Sequence, residues 1–183
     1  MEAVTDIVLE QINPQEINGV IEDLACGCLL HDSIEDTETT LDEIKVKFGA
    51  NAADIVEGVT LLRSEKPKEE QDKENLRFIA EKGHLNPQVF LVKLGDRLHN
   101  MRTLMFVKDE KKRRLKADEP LRIYTKLAES MGMWKIKREL EDLSFPYIYP
   151  EIYQQVKKDI DDDPRTGPAF MHGLESYLEW IFS

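Results

Sequence analysis

The chain has 183 residues, with 36 Asp and Glu against 25 Lys and Arg, for a formal net charge of −11; this length suits one domain that buries roughly 70% of its unfolded surface. Its 41% hydrophobic and 33% charged residues can build a core, which excludes generic disorder, and no apolar run approaches the roughly 20 residues of a membrane span. The acidic balance argues against general nucleic-acid binding, which needs a dominant positive field. Cys26 and Cys28 lie one residue apart in an apolar stretch, where helical side chains diverge and no disulfide scaffold can form. The N-terminus carries no basic signal-peptide region, so the expected compartment is a reducing cytoplasm, with no membrane partner.

Nearly every segment has helical periodicity. Ile7, Val8, Leu9 and Ile12 form a stripe that Asn13-Pro14 ends. Ile17, Val20, Ile21, Leu24 and Cys28 predict one helix from Ile17 to Asp36. Thr40 and Glu43 form a capping-box pattern that opens a helix with Ile44 and Phe48, stopped by Gly49. A helix over about 52–62 follows, then a polar segment over 63–72 that predicts a surface loop. Lys73 to Lys82 is a further helix ending at Gly83. Asn86-Pro87 then opens a strongly apolar helix through Val89, Val92, Leu94, Leu98, Met101 and Leu104.

Lys108 to Lys116 is a charge run, weighed as a positive rim for a polyphosphate and, with more support, as a solvated helix face. Leu121 to Met131 is amphipathic and stops at Gly132. Trp134 to Leu143 follows, with Trp134, Ile136, Leu140 and Leu143 expected in the core and Pro146 and Pro150 marking the exit. After Asp161-Asp162-Asp163-Pro164 comes a last stripe of Leu174, Tyr177, Leu178 and Ile181. The expected fold class is an all-α helical bundle, with a principal domain over 1–158 and an acidic linker and terminal helix over 159–183. The terminal Tyr177, Trp180 and Phe182 suit three occupants equally: this domain's own surface, a partner, or a second copy in a homo-oligomer.

Two features carry chemistry. In His31-Asp32-Ser33-Ile34-Glu35-Asp36, four proton- or metal-competent side chains fall within six residues. An imidazole and an adjacent carboxylate at the end of a buried helix suit a divalent cation, and the two later carboxylates could orient or deprotonate an attacking water. The plainer alternative is an acidic helix C-terminus with a solvated histidine, although carboxylates there oppose the helix dipole. The second feature is Asp96 within an apolar helix, sharing a face with Asn100 and Thr103. A carboxylate there is expensive unless it binds a cation or pairs with Lys93 or Arg97.

Together these features resemble the HD-domain metal-dependent phosphohydrolases. Leu29-Leu30-His31-Asp32-Ser33-Ile34-Glu35-Asp36-Thr37, Phe48-Gly49, Val56-Glu57-Gly58-Val59-Thr60, the run from Val92 to Thr103, and Glu139-Leu140-Glu141-Asp142-Leu143-Ser144-Phe145 are similar to the hydrolase domain of the RelA/SpoT homologues. The resemblance covers roughly Met1 to Tyr153. It implies an HD-domain helical bundle that takes a guanosine polyphosphate, the alarmone (p)ppGpp of the stringent response. It further implies release of pyrophosphate from the 3′ position with Mn²⁺. It makes His31, Asp32 and Asp96 the metal ligands, Glu35 and Asp36 the managers of the attacking water, and Asn100 and Thr103 the nucleotide contacts. Cys26 and Cys28 match small core positions.

The sequence departs from the pattern in three places. The pattern has a further metal-ligand histidine in a His-Pro step that would align just before Met1, and His84, His99 and His172 are not natural substitutes. Leu61 stands where Lys is usual, and Gly95 where Ala is usual, the latter expected to matter little. The resulting expectation is a hydrolase-like chain with impaired turnover, the alternative being an inactive domain acting as a regulatory or interaction module.

Overall fold

In the computed structural model, helices form every regular element among the described residues, which are 2–10, 21–60, 68–165, 167, 170 and 172. The all-α expectation therefore holds. Among these residues, no helix is long and apolar enough to cross a membrane. The sequence expectations for Ile12, Asn13-Pro14, Ile17, Val20, Leu61 and 63–67 lie outside the described residues, as do those for Leu174, Tyr177, Leu178, Trp180, Ile181 and Phe182.

Helices α1 (Glu2–Leu9) and α2 (Ile21–Leu30) lead to a short turn of helix, α3 (Ser33–Asp36). The predicted continuous helix to Asp36 is thus broken at His31-Asp32, where the Ser33 hydroxyl donates to the Leu30 carbonyl at 2.6 Å. That bond takes up a carbonyl that a continuing helix would use itself. Helix α4 (Leu41–Phe48) begins with the capping box foreseen: Thr40 Oγ1 accepts from the Glu43 N–H and Glu43 accepts from the Thr40 N–H. It ends at Gly49, whose φ of 95° only glycine adopts freely. Helix α5 (Ala50–Val59) follows.

Helix α6 (Lys68–Leu85) differs from expectation at both ends. It starts inside the segment expected to be a loop, and it continues through Gly83. A Cβ at Gly83 would stand 2.3 Å from the Phe90 ring, so this glycine permits a close helix contact instead of ending the helix. Helix α7 (Gln88–Arg102) starts one residue later than expected, and Asn86 Oδ1 still accepts from the Gln88 N–H at 3.1 Å, as a cap does.

The charge run forms its own helix, α8 (Glu110–Glu119), capped by Asp109. It passes without a break through a π-helical turn, Pro120–Tyr124, into α9 (Thr125–Ser130). The cause is local: Pro120 has no N–H to donate back into α8, and the Thr125 N–H reaches the Pro120 carbonyl five residues back. Helix α10 (Trp134–Ile148) carries Pro146 inside its last turn, and Pro150 opens α11 (Pro150–Asp162). Only Pro150 therefore marks a helix boundary. Trp134 is 60% exposed, contrary to expectation, whereas Ile136 and Leu140 are buried and Leu143 packs against the core.

Helix α7 organises the bundle. One core gathers Val4 and Val8 of α1, Leu24 and Cys28 of α2, Ile55 of α5 and Val89 and Val92 of α7. The other joins Leu94, Leu98 and Met101 of α7 to Tyr124, Ala128, Ile136 and Leu140. Gly95 lets α1 approach closely, since a Cβ there would stand 2.6 Å from Val8 Cγ2; the change from Ala to Gly is therefore coupled to packing and is not minor. Asn51 ties α5 to the neighbouring ends, donating to Asp23 at 2.9 Å and accepting from Asn86 at 2.9 Å.

Candidate metal centre

The first half of the centre comes from the end of α2. Leu24 and Cys28 bury the inner face of this helix, and Gly27 allows the Ile55 side chain to press against it. His31 immediately follows and is 6% exposed. Its Nδ1–H donates to the Cys28 carbonyl at 2.7 Å, since a carbonyl can only accept. In the neutral ring this leaves Nε2 as the lone-pair nitrogen, oriented as metal-binding histidines are. Nε2 lies 2.9 Å from Asp32 Oδ2 and 3.9 Å from Asp96 Oδ1.

Asp96 arrives from the middle of α7. Both cations considered as ion-pair partners are there: Lys93 Nζ lies 3.5 Å and Arg97 Nε 3.7 Å from Asp96 Oδ2. Lys93 is buried and also donates to the Val59 carbonyl at 3.2 Å. Burial, then the Arg97 charge, pull its pKa down, while Asp96 pulls it back up. Asn100 Nδ2 donates to Asp96 Oδ1 at 2.7 Å. Among the described residues, no three His, Cys, Asp or Glu side chains stand as a ready-made ligand set. Asp96 instead has one oxygen turned to Asn100 and the other towards Lys93.

The electrostatics nonetheless favour a positive charge at this point. Burial pushes the Asp32 carboxyl above its ordinary value. The nearby His31 offsets this, and the Asp96, Asp36 and Glu35 charges add to it. A neutral imidazole lone pair facing carboxylate oxygens has only repulsion to offer unless a proton or cation lies between them. Oxygen and imidazole nitrogen donors together suit a divalent ion of the Mn²⁺ or Zn²⁺ type. The residues present fit such an ion.

His31, Asp32 and Asp96 are thus brought together from two helices far apart in sequence. Glu35 and Asp36 lie on α3 beside Asp32, with the Glu35 and Asp36 N–H groups both donating to the Asp32 carbonyl. Asn100 touches Asp96, whereas the Thr103 hydroxyl donates back to the His99 and Asn100 carbonyls. Asn100 and Thr103 nevertheless border a common cleft of about 170 Å³ between α7 and the α8–π junction, smaller than the roughly 300–1,000 Å³ of whole small-molecule sites and so sized for part of a ligand. His84 and His172 are exposed. Sequence reasoning missed the Cys28 carbonyl, which fixes the His31 tautomer. It also missed Tyr124, which lies under Arg97 with its ring centroid 5.4 Å from the guanidinium carbon. The i−3 spacing of Cys28 was a usable signal; the Tyr124 contact depends on the π-turn and had none. Cys28 itself is no ligand candidate: burial pushes its thiol up to about 12.

Comparison with known proteins identifies the family of the chain. Residues 14–134 match the HD domain family. The chain is 41% identical over 160 residues to the guanosine-3′,5′-bis(diphosphate) 3′-pyrophosphohydrolase of Aquifex aeolicus, covering 87% of this chain and 22% of that protein. It is 45% identical over 137 residues to the Haemophilus influenzae protein of the same name, covering 74% and 20%. It is also 36% identical over 178 residues to the GTP pyrophosphokinase rsh of Brucella ovis, covering 93% and 24%. The chain therefore spans about a fifth of the length of the curated relatives it matches. The chain therefore belongs to the HD domain family, and over most of its length it is similar to RelA/SpoT homologues.

Proposed function

We propose that this chain holds Mn²⁺ through His31, Asp32 and Asp96 and hydrolyses guanosine 3′,5′-bis(diphosphate) and its 5′-triphosphate form at the 3′ position. The observation that carries this reading is the His31 Nε2 lone pair, fixed by the Cys28 carbonyl and facing Asp32 and Asp96. When bound, the ion polarises phosphoryl oxygens and makes water more acidic.

The protein's own groups supply the rest. Asp32 and Asp96 converge from different helices, so the spacing between α2 and α7 sets the site. Glu35 and Asp36, held on α3 beside Asp32, orient the attacking water and take its proton. The water oxygen bonds to the phosphorus next to the ribose, and the bond from that phosphorus to the 3′ oxygen breaks. The 3′ oxygen takes up a proton, and pyrophosphate leaves with GDP or GTP as the other product. Asn100 and Thr103 border the cleft that receives the nucleoside. A reducing cytoplasm suits the two free thiols, Cys26 and Cys28.

The test is Mn²⁺ binding by equilibrium dialysis, paired with pyrophosphate release from guanosine 3′,5′-bis(diphosphate). Binding and release in the wild type, both lost in His31→Ala, support the reading. Mn²⁺ binding that survives His31→Ala overturns the ligand assignment, and release without added metal overturns the mechanism.

A further inference from the structure

The metal centre leaves one cation with its donor capacity incompletely used. Arg97 follows Asp96 on α7, and its Nε is shut off from solvent without a hydrogen-bond partner. The Asp96 oxygen 3.7 Å away attracts it but lies beyond hydrogen-bond reach. A buried, unpaired N–H on a guanidinium is costly unless something present in the working state accepts from it.

The surroundings hold this guanidinium in place. Tyr124 is buried beneath it, and the Tyr124 ring and oxygen both couple to its charge. Tyr124 closes the π-turn that Pro120 imposes, so its inward position follows from a five-residue turn where an α-helix would have placed it on another face. Arg97 borders the cleft that also contains Asn100 and Thr103, with Lys116 and Glu119 on the opposite wall. Two cations against one carboxylate give this cleft a local positive excess in a chain of net charge −11.

We propose that Arg97 is a specificity-determining residue whose clamped guanidinium takes a phosphoryl oxygen of the nucleotide, with Lys116 as a weaker second contact. The proposal rests on the function argued above and extends it to a cation outside the metal centre. An arginine suits the task because its planar fork offers two parallel donors to a phosphate, whereas lysine offers a point charge. The cleft then selects nucleotides by their phosphates as well as by the ion beside them.

The experiment compares wild type, Arg97→Lys, Arg97→Gln and the exposed Lys116→Gln, with thermal melts as a check on folding. It measures steady-state hydrolysis of guanosine 3′,5′-bis(diphosphate), and binding of inorganic diphosphate in Mn²⁺ by calorimetry. For Arg97→Lys the expected result is KM and the diphosphate Kd both raised about tenfold, with kcat within about twofold, as loss of a forked contact predicts. Lys116→Gln shifts the same two constants less and leaves the melt unchanged, so it reports even if Arg97→Gln fails to fold. Unchanged KM and Kd in a folded Arg97→Lys overturn the proposal. So does a fall in kcat and melting temperature with KM unmoved, which would make Arg97 purely structural. If the wild type binds diphosphate through Arg97 but does not hydrolyse the nucleotide, the anion contact stands and the proposed function falls.

Discussion

The two cores on either side of α7 are packed by different means. Around α1, α2, α5 and the start of α7, helices touch through glycines. A Cβ at Gly27 would stand 2.5 Å from Ile55, and one at Gly58 would stand 2.6 Å from Val89. Around the end of α7, the π-turn, α9 and α10, large side chains such as Tyr124, Leu98 and Leu140 fill the space, and a cleft remains beside them. The first core thus fixes distances between backbones, which suits a place where His31 and Asp96 must meet. The second leaves room, which suits a place where a ligand enters.

The seam between the cores gives the largest expected effect. Asp96→Ala removes the carboxylate paired with the buried Lys93 and costs about 3–5 kcal/mol, as breaking a buried pair does. Urea denaturation measures it, and adding Lys93→Met in the same chain recovers most of the loss. An equally unstable double variant would break the view that charge at the seam is the cause. Next comes Leu140→Ala, which opens a void in the second core and costs about 2–5 kcal/mol by the same method. Gly58→Ala acts in the opposite sense, forcing α5 away from Val89, and costs about 1–3 kcal/mol through overpacking. A neutral Gly58→Ala would show that the first core has slack and would remove the contrast.

The smallest effect is at the start of α4, whose Ile44 packs against Ala53 and Val56 of α5. The Thr40 N–H, then the Thr40 hydroxyl, hold the Glu43 carboxyl below its ordinary 4.5. A lowered folded value means that the stabilisation is present above pH 4.5 and is lost as pH falls through the folded value. Melting temperatures of wild type and Glu43→Gln should therefore converge on acidification, with the wild type ahead only at higher pH.

Much of this organisation was legible in the sequence because its causes are local. The Thr40–Glu43 box, Gly49 and Gly132 specify helix ends by hydrogen bonding and backbone freedom, and the structure follows them. The apolar period of α7 made Asp96 conspicuous, and the His31-Asp32 pair marked the other half of the centre. The misreadings arose where one residue type serves two purposes. Gly83 looked like a helix stop because glycine often is one, yet its function is set by Phe90, a contact that only the fold reveals. Pro146 looked like a boundary, yet it is absorbed by a last helical turn, and the π-turn that Pro120 opens had no signal of its own. Trp134 was grouped with Ile136, Leu140 and Leu143 as core, whereas its position at the first turn of α10 leaves it beside Lys137 at the surface. Charge at the centre was legible in kind and not in pairing, because Lys93 and Arg97 flank Asp96 on the same helix and either could have taken it alone.

Because α7 contributes to both cores along its 15 residues, neither can come apart while this helix keeps its place. The consequence is cooperativity. Amide hydrogens near the middle of α7 should exchange only through global opening, at the same free energy as the whole domain, while those of the exposed α11 exchange through local fraying. Loss of either core then registers at the other as one melting event, and the relation between His31 and Asp96 persists undistorted until the domain unfolds as a unit.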